Sequence, residues 1–374
     1  MFLKAVTDEP FGFDSMTRCS SIPEDTSKRK MESGGTAARE SNGKPNNDVV
    51  LLERICTAYI KATEEKVRYS EEYGASPWWE DIQANHLFAV RDALQTRDIP
   101  KLRSMYENFF QDPSGKGLVR LPPGGTSANY QFELNDEDRW LVQEDMFYRL
   151  GYWRKQTNDR FPVSVLRGPS VGNPFGVMIE GTLIPVGAEY QHACADRIAN
   201  LTSRQAIVVE IGGGFGQMAY YLLEANPEIR YLDFDMPESL ALAAYYLGKS
   251  APDRTMLLYG ELSSLRDSIA EYDIALMPPW EMGKLATRSV ELTFASHVLS
   301  DLIPTAREKY LKEIARFTGG LLLEIGGEES NETLASLAGY YDLLFSLVEK
   351  RPSDWNVYRA PEAREWERLL RPNH

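Results

Sequence analysis

From Val49 onward the apolar residues fall at three- and four-residue spacing. Leu51, Leu52, Ile55, Tyr59 and Ile60 form one stripe, the mark of a helix that buries one face. A second stripe starts at Asp81, runs through Leu87, Val90 and Leu94 and predicts a helix that stops before Pro100. A third runs through Leu102, Met105, Tyr106, Phe109 and Phe110. Gly115, Gly117, Pro122, Pro123, Gly124 and Gly125 then interrupt the periodicity. Asp136 to Leu150 resumes it, with Trp140, Leu141, Met146 and Leu150 on the expected buried side. This all-helical portion ends near Pro169.

At Gly172-Asn173-Pro174 the pattern changes. Short aliphatic runs suited to strands occur at Ala206–Ile211, Arg230–Phe234, Met256–Tyr259, Ile274–Met277 and Leu321–Ile325. Helical segments fill Gly216–Ala225, Glu238–Leu247, Leu262–Ala270 and Pro304–Phe317. Alternation of this kind implies a parallel sheet covered on both faces. Phe345–Glu349 and Trp355–Arg359, separated by Arg351-Pro352-Ser353, read as an antiparallel hairpin at a sheet edge. The expected fold is therefore α/β: a Rossmann-like, mostly parallel sheet with an antiparallel edge hairpin, preceded by a helical domain. Residues 17–48 are rich in Ser, Gly, Glu, Lys and Asn, too polar to offset their ordering entropy. The expected division is a disordered leader over 1–48, a helical cap and substrate domain over 49–169, and a Rossmann-like domain over 170–374.

Composition narrows the function. The 374 residues carry 55 acidic and 41 basic side chains, a net charge of −14, which repels phosphate backbones and disfavours nucleic acid as a partner. Cys19, Cys56 and Cys194 form no C-x-x-C pair, so neither a disulfide framework nor a zinc site is expected, and a reducing, cytoplasmic setting is. No apolar run approaches the roughly 20 residues that span a bilayer, and no secretory signal is apparent at the N-terminus.

The sharpest chemical signal is Val208-Val209-Glu210-Ile211-Gly212-Gly213-Gly214-Phe215-Gly216. It closes an apolar strand and opens a helix. Gly212, Gly214 and Gly216 let the backbone turn tightly and approach a ligand without a Cβ in the way. Alone, this fits any nucleotide-type ligand. Glu210, two residues ahead of the first glycine, favours a cationic amino group over a pyrophosphate at this helix N-terminus. Asp235 ends the next strand, 23 residues after Gly212, close to the spacing of about 20 at which an acid accepts ribose hydroxyls. Asp233 shares its face but sits deeper. Together these features point to S-adenosylmethionine, with a dinucleotide as the lesser alternative.

Two further segments are candidates. Gly260-Glu261-Leu262 follows the third predicted strand, where adenine is recognised, and Glu261 is either a ligand contact or a plain turn acid. The fourth predicted strand ends Met277-Pro278-Pro279-Trp280-Glu281. Pro278 is placed beside the cofactor, and Trp280 as a wall of the transfer site or a packing residue. Met277 offers no acceptor to an exocyclic amine, so amine methylation of nucleobases is disfavoured a second time.

The run Glu210–Gly216, the later Asp235-Met236-Pro237-Glu238-Ser239-Leu240-Ala241-Leu242-Ala243, Pro278-Pro279-Trp280, and Gly172-Asn173-Pro174 followed by a tyrosine-bearing helix near Tyr190 resemble the sugar O-methyltransferases of bacterial secondary metabolism. The resemblance covers roughly Val49 to Pro372. It implies a class I methyltransferase sheet, S-adenosylmethionine as methyl donor, and a hydroxyl of a sugar or glycosylated small molecule as acceptor. Where many members carry an Asn and a Ser-Phe-x-Glu-Met-like run, this chain reads Glu291-Leu292-Thr293-Phe294-Ala295-Ser296-His297-Val298-Leu299-Ser300-Asp301.

A sugar hydroxyl is a weak nucleophile at neutral pH and gains from a positioned base. The first candidate is His297, which lies between the fourth and fifth predicted strands, at the carboxyl edge where open sheets bind ligands. His192, just upstream of the first strand, comes second, and Glu281 and Asp301 are weaker candidates. For each histidine the alternative is a satisfied structural side chain. A divalent metal is compatible with the class, but no compact acid and histidine cluster calls for one. Trp78, Trp79 and Trp140 are either sugar-stacking planes or core. Three other readings stay open: methylation of another small-molecule oxygen or nitrogen, a non-catalytic binding protein of the same fold, and a dinucleotide oxidoreductase. Self-association is left open too.

Overall fold

A computed structural model describes residues 47–69, 72–119, 136–262, 271–327, 341–358, 360, 362 and 364–374. The expected leader up to residue 46, the 122–125 break and nearly all of the expected helix Leu262–Ala270 lie outside the described residues, whereas Asn47 and Asp48, placed in the leader, begin a helix.

The first helical stretch holds α1 (Asn47–Lys66), α2 (Pro77–Asn85), α3 (Phe88–Thr96), α4 (Ile99–Tyr106) and α5 (Asp136–Gln156). In α1 the buried stripe is Leu52, Ile55, Cys56, Tyr59 and Ala62. The single helix expected from Asp81 to Leu94 is two, broken at His86 and Leu87. The second of them, α3, stops at Thr96, before Pro100 as expected. Pro100 occupies the first turn of α4, where its missing N–H has no partner to lose. In α5 the buried side is Val142, Met146, Arg149, Leu150 and Trp153, whereas Trp140 faces solvent.

The α/β part begins with a hairpin that the sequence pattern did not announce, β1 (Gly176–Ile179) and β2 (Thr182–Pro185). Glu180 and Gly181 at its tip both have positive φ, the turn that matches strand twist. Then follow α6 (Ala188–Leu201), β3 (Ile207–Ile211), α7 (Gln217–Ala225), β4 (Arg230–Phe234), α8 (Pro237–Ser250), β5 (Met256–Leu258), β6 (Ile274–Met277), β7 (Val290–Ser296), α9 (Val298–Asp301), α10 (Pro304–Phe317), β8 (Thr318–Gly327), β9 (Phe345–Pro352) and β10 (Glu365–Pro372).

Among the described residues the main sheet has eight strands in the order β5-β6-β4-β3-β7-β8-β10-β9. Strands β3 to β8 pair in parallel, and β10 and β9 close the edge antiparallel. The fold is thus the expected Rossmann-like α/β sheet with an antiparallel edge hairpin behind a helical N-terminal stretch. The hairpin's second strand is Glu365–Pro372 rather than Trp355–Arg359, since Asp354–Asn356 forms a short 3-10 turn instead.

Alternation along each central strand sends side chains to two cores. Val208 and Tyr231 join the core under α6, α7 and α8, and the helices α1 to α5 continue that same core. Val209, Ile211, Leu232 and Phe234 join the core under α10. Strand β7 is the strand of the main sheet that the pattern missed. Its Thr293 is fully buried and broke the apolar run. Buried at the sheet centre, it shares a 2.6 Å hydrogen bond with Thr318 Oγ1, which satisfies both hydroxyls. The consequence is positional. The chain reverses direction across the sheet between β3 and β7, and open α/β sheets bind ligands at such a switch point, beyond the strand ends.

Candidate active site

A cleft of about 330 Å³ opens at that point. Its floor is the turn after β3, and one wall is the end of β4. Its far wall is the β7–α9 junction, and α2 with Gly117 and Leu118 forms the roof.

The glycine turn has positive φ at Gly212, Gly214 and Gly216. At Gly212 a Cβ would lie 2.3 Å from Val298 Cγ2, so the turn and α9 can touch only without one. At Gly214 the nearest atom to such a Cβ is 4.0 Å away, which leaves the backbone open to a ligand. Two acids of β4 brace the turn. The Gly213 N–H donates to Asp233 Oδ1 and the Gly214 N–H to Asp235 Oδ2, each at 2.9 Å. The Met236 N–H also donates to Asp235 Oδ1 at 2.6 Å. Asp233 is fully buried under the turn, whereas Asp235 lines the cleft. Burial pushes both carboxyls upward, and for Asp233 the neighbouring Asp235 adds to it.

Glu210 lines the cleft from the penultimate position of β3. It is only 4% exposed. Tyr231 Oη donates to its Oε2 at 2.6 Å, but among the described residues no cation pairs with it. Burial drives its pKa up to about 8. A carboxylate held this way is short of a positive partner.

His297 stands at the opposite wall, at the N-cap of α9 with φ of 63°. Its Nδ1 lies 2.9 Å from Ser296 Oγ and its Nε2 3.2 Å from Glu365 Oε1. Tyr190 Oη contacts Ser296 Oγ at 2.6 Å, and Asn356 Nδ2 donates to Glu365 Oε1 at 2.7 Å. Glu365 lies on β10, 68 residues along the chain, and no pattern in the sequence marks it. Ser296 and Gln217 also line the cleft and carried no motif of their own. Asp301 lies beside His297 in the same wall, and burial raises its pKa. Trp78 and Trp79 both face the cleft from α2, Trp78 with 53% of its surface exposed.

The remaining candidates lie elsewhere. His192 is packed against Trp153, Phe161 and Tyr221 and accepts from Trp153 Nε1 at 3.2 Å. Burial lowers its pKa to about 4. It is a neutral core histidine. Glu281 is buried outside the cleft and bound to Lys284 Nζ at 2.6 Å. Glu261 also lies outside it. Arg54 grips its carboxylate at 2.7 and 2.9 Å, and the Leu258 N–H donates to it at 2.9 Å, so it caps a turn. Pro278 is not among the cleft residues, whereas Pro279 is. Trp280 stacks on Tyr69 with ring centroids 5.3 Å apart and bonds Tyr259, a packing role. For Pro278, Trp280 and Glu281 the cause is β7. The Pro-Pro-Trp strand is not the neighbour of β3, so its end is displaced from the switch point.

Among the described residues no group of three or more His, Cys, Asp or Glu side chains is arranged to hold a metal. Nor is any described helix long and apolar enough to cross a membrane.

No family model matches the chain, and no curated protein matches it. Solved structures do. A TehB-like S-adenosylmethionine-dependent methyltransferase from Corynebacterium glutamicum aligns over 62% of this chain and 99% of its own, at 13% identity and a TM-score of 0.34. A methyltransferase of the same dependence from Aquifex aeolicus aligns over 48% and 88%, at 14% identity and a TM-score of 0.33. An arsenic(III) S-adenosylmethionine methyltransferase from Chlamydomonas reinhardtii aligns over 44% and 62%, at 17% identity and a TM-score of 0.31. At such distances the chemistry of the cleft has to be read from its own residues.

Proposed function

We propose that the protein is an S-adenosylmethionine-dependent O-methyltransferase that acts on a sugar hydroxyl, as carried by a glycosylated small molecule. One observation carries this reading. Two carboxyl groups, Glu210 and Asp235, flank a bare-backbone turn in a single cleft at the switch point of the sheet.

The residues present fit the donor. Glu210 has no cationic partner among the described residues and suits an ammonium. Asp235, two residues beyond Asp233 at the end of β4, suits ribose hydroxyls. The open side of Gly214 admits a ligand against the main chain. Bound there, the donor supplies an electrophilic methyl group on a sulfonium. Alignment then does much of the work, because holding two reactants in line removes most of the entropic barrier.

On the far wall, His297 is the base. Glu365 accepts from Nε2–H and so leaves the lone pair on Nδ1. That nitrogen now meets Ser296 Oγ. An acceptor hydroxyl entering beside Ser296 gives its proton to Nδ1 as its oxygen takes the methyl group. Trp78, half exposed at the mouth, supports a sugar face by stacking. Cys56 and Cys194 are free and buried, in keeping with a reducing cytoplasm.

Calorimetric titration with S-adenosylhomocysteine and with NAD tests the donor, and turnover on a panel of glycosides tests the acceptor. Binding of NAD without binding of S-adenosylhomocysteine overturns the first. Methylation of other small molecules but of no glycoside overturns the second.

A further inference from the structure

Three carboxyl groups line the cleft, those of Glu210, Asp235 and Asp301, and among the described residues no lysine or arginine does. The methyl donor as assigned above occupies the first two. Asp301 is left over. It ends α9, one turn beyond His297, in the wall that faces the acceptor. Its side chain is partly open to solvent and accepts from Ser300 Oγ at 3.2 Å. Among the described residues it forms no ion pair. Arg307 donates Nη2 to the carbonyl oxygens of Ser300 and Leu302 and acts on Asp301 only through space.

The reaction defines what an anion in this place is for. The donor brings a positive sulfonium, and His297 becomes positive as it takes the proton. A cation on the acceptor would be repelled by both unless a negative group stood beside it. Asp301 is such a group, next to the base. Trp78 presents a half-exposed ring to the same cleft, and an indole face attracts a cation as well as a sugar. A phosphate would meet carboxylates instead.

We infer that the acceptor is an amino sugar whose protonated amine pairs with Asp301, close to the hydroxyl that His297 deprotonates. This rests on the acceptor reading above and narrows it, from any sugar hydroxyl to one near a cationic nitrogen. The same field turns away a sugar that still carries a nucleoside diphosphate. Glycosyl transfer, which releases the diphosphate, is therefore the class of reaction that supplies this substrate.

Turnover by the full chain on matched sets of methyl glycosides tests the inference. Each set holds an amino sugar, its N-acetyl derivative, which lacks the charge, and the parent sugar with a hydroxyl in place of the amine. The sets differ in the carbon that bears the nitrogen. In at least one set the amine should exceed both neutral members in kcat/KM by about fivefold, the upper end of what an ion pair partly open to solvent contributes. Asp301→Asn, close in shape, should bring that preference near unity, chiefly through KM, and Asp301→Glu should keep most of it. An amino sugar still linked to a nucleoside diphosphate should be the poorest acceptor; if it is the best, the inference falls. Equal kcat/KM within every set, or a preference that survives Asp301→Asn, overturns it while the acceptor reading stands. The comparison in the unaltered protein holds whether or not either variant folds. If no glycoside of any set is methylated although S-adenosylhomocysteine binds, the acceptor reading fails and this inference with it.

Discussion

Glu210 and Glu281 are equally hidden, each 4% exposed, one near the end of an apolar strand and the other just beyond one in the same sheet. Their partners separate them. Glu281 is bound by Lys284, so its charge is already answered within the chain. Glu210 has a tyrosine hydroxyl and, among the described residues, no cation. The two histidines divide in the same way. His192 is enclosed by aromatic rings and accepts an indole N–H, whereas His297 lies against a carboxylate and a serine at the edge of a cleft. In each pair, burial is a poor guide to function. What marks the candidate is an electrostatic demand that the chain itself leaves unmet, or met only by groups a substrate could replace.

The largest effect that could break this comparison concerns the histidines. His297→Ala should lower turnover by about 10²- to 10⁴-fold, the usual contribution of a general base, with S-adenosylhomocysteine binding nearly intact. His192→Ala should instead lower the melting temperature and leave turnover per folded molecule unchanged. Steady-state kinetics beside thermal melts would separate the two, and full activity in the His297 variant dismisses it as the base. Next come the carboxylates. Glu210→Gln and Asp235→Ala should each weaken S-adenosylhomocysteine by about 1.5–3 kcal/mol, through lost charge-assisted hydrogen bonds. Glu281→Gln should leave its affinity within about twofold, as expected of a distant, independent site. Equal losses for Glu210 and Glu281 would erase the distinction between them.

Much of this architecture was legible in the chain. Local runs announced β3, β4, β6, α7 and α10 within a residue or two, because each is a short apolar or amphipathic stretch bounded by Gly, Pro or Asn. The glycine turn and the two acids ahead of and beyond it were visible for the same reason: their spacing is local. β7 was not, since Thr293 makes it read as polar until Thr318, 25 residues away, supplies the partner. That one strand moved the apparent fourth strand away from the switch point and carried Pro278 and Glu281 with it. Glu365 was illegible for a deeper reason. Its relation to His297 exists only once β10 has paired with β8, and no periodicity encodes a contact between elements so far apart. Glu261 could have been read either way, because Arg54 lies 207 residues from it.

A smaller effect sharpens the contrast through pH. The Glu210 carboxyl has its pKa raised from 4.5 to about 8 by burial, so the native state binds a proton that the unfolded chain has released. Its contribution to stability is fully present below about pH 4.5 and is lost as pH rises through about 8. An ammonium ligand has the opposite preference, since it binds the ionised form. Between pH 8 and pH 7 its affinity should fall about fivefold, approaching tenfold per pH unit only further below the pKa, with proton release on binding visible as a buffer-dependent heat. Melting temperature without ligand should decline over the range in which affinity improves. Glu210→Gln should flatten both trends, and a pH-independent affinity in the unaltered protein would mean that Glu210 does not meet the ligand's charge.

The smallest predicted effect bears on Glu261. Its pair with Arg54 leaves both side chains about a third exposed, so solvent screens most of the attraction, and exposed pairs contribute about 0–1 kcal/mol. Glu261→Gln keeps an acceptor for the Leu258 N–H while removing the charge that Arg54 grips. Stability should therefore fall by less than about 1 kcal/mol, with S-adenosylhomocysteine affinity unchanged. The measurement is informative because the same acid, placed at the end of the third expected strand, is where an adenine contact would be looked for. A clear loss of nucleoside affinity in this variant would mean that Arg54 releases Glu261 when ligand enters. It would then be unsafe to tell structural from functional acids by whether the chain already supplies a cation.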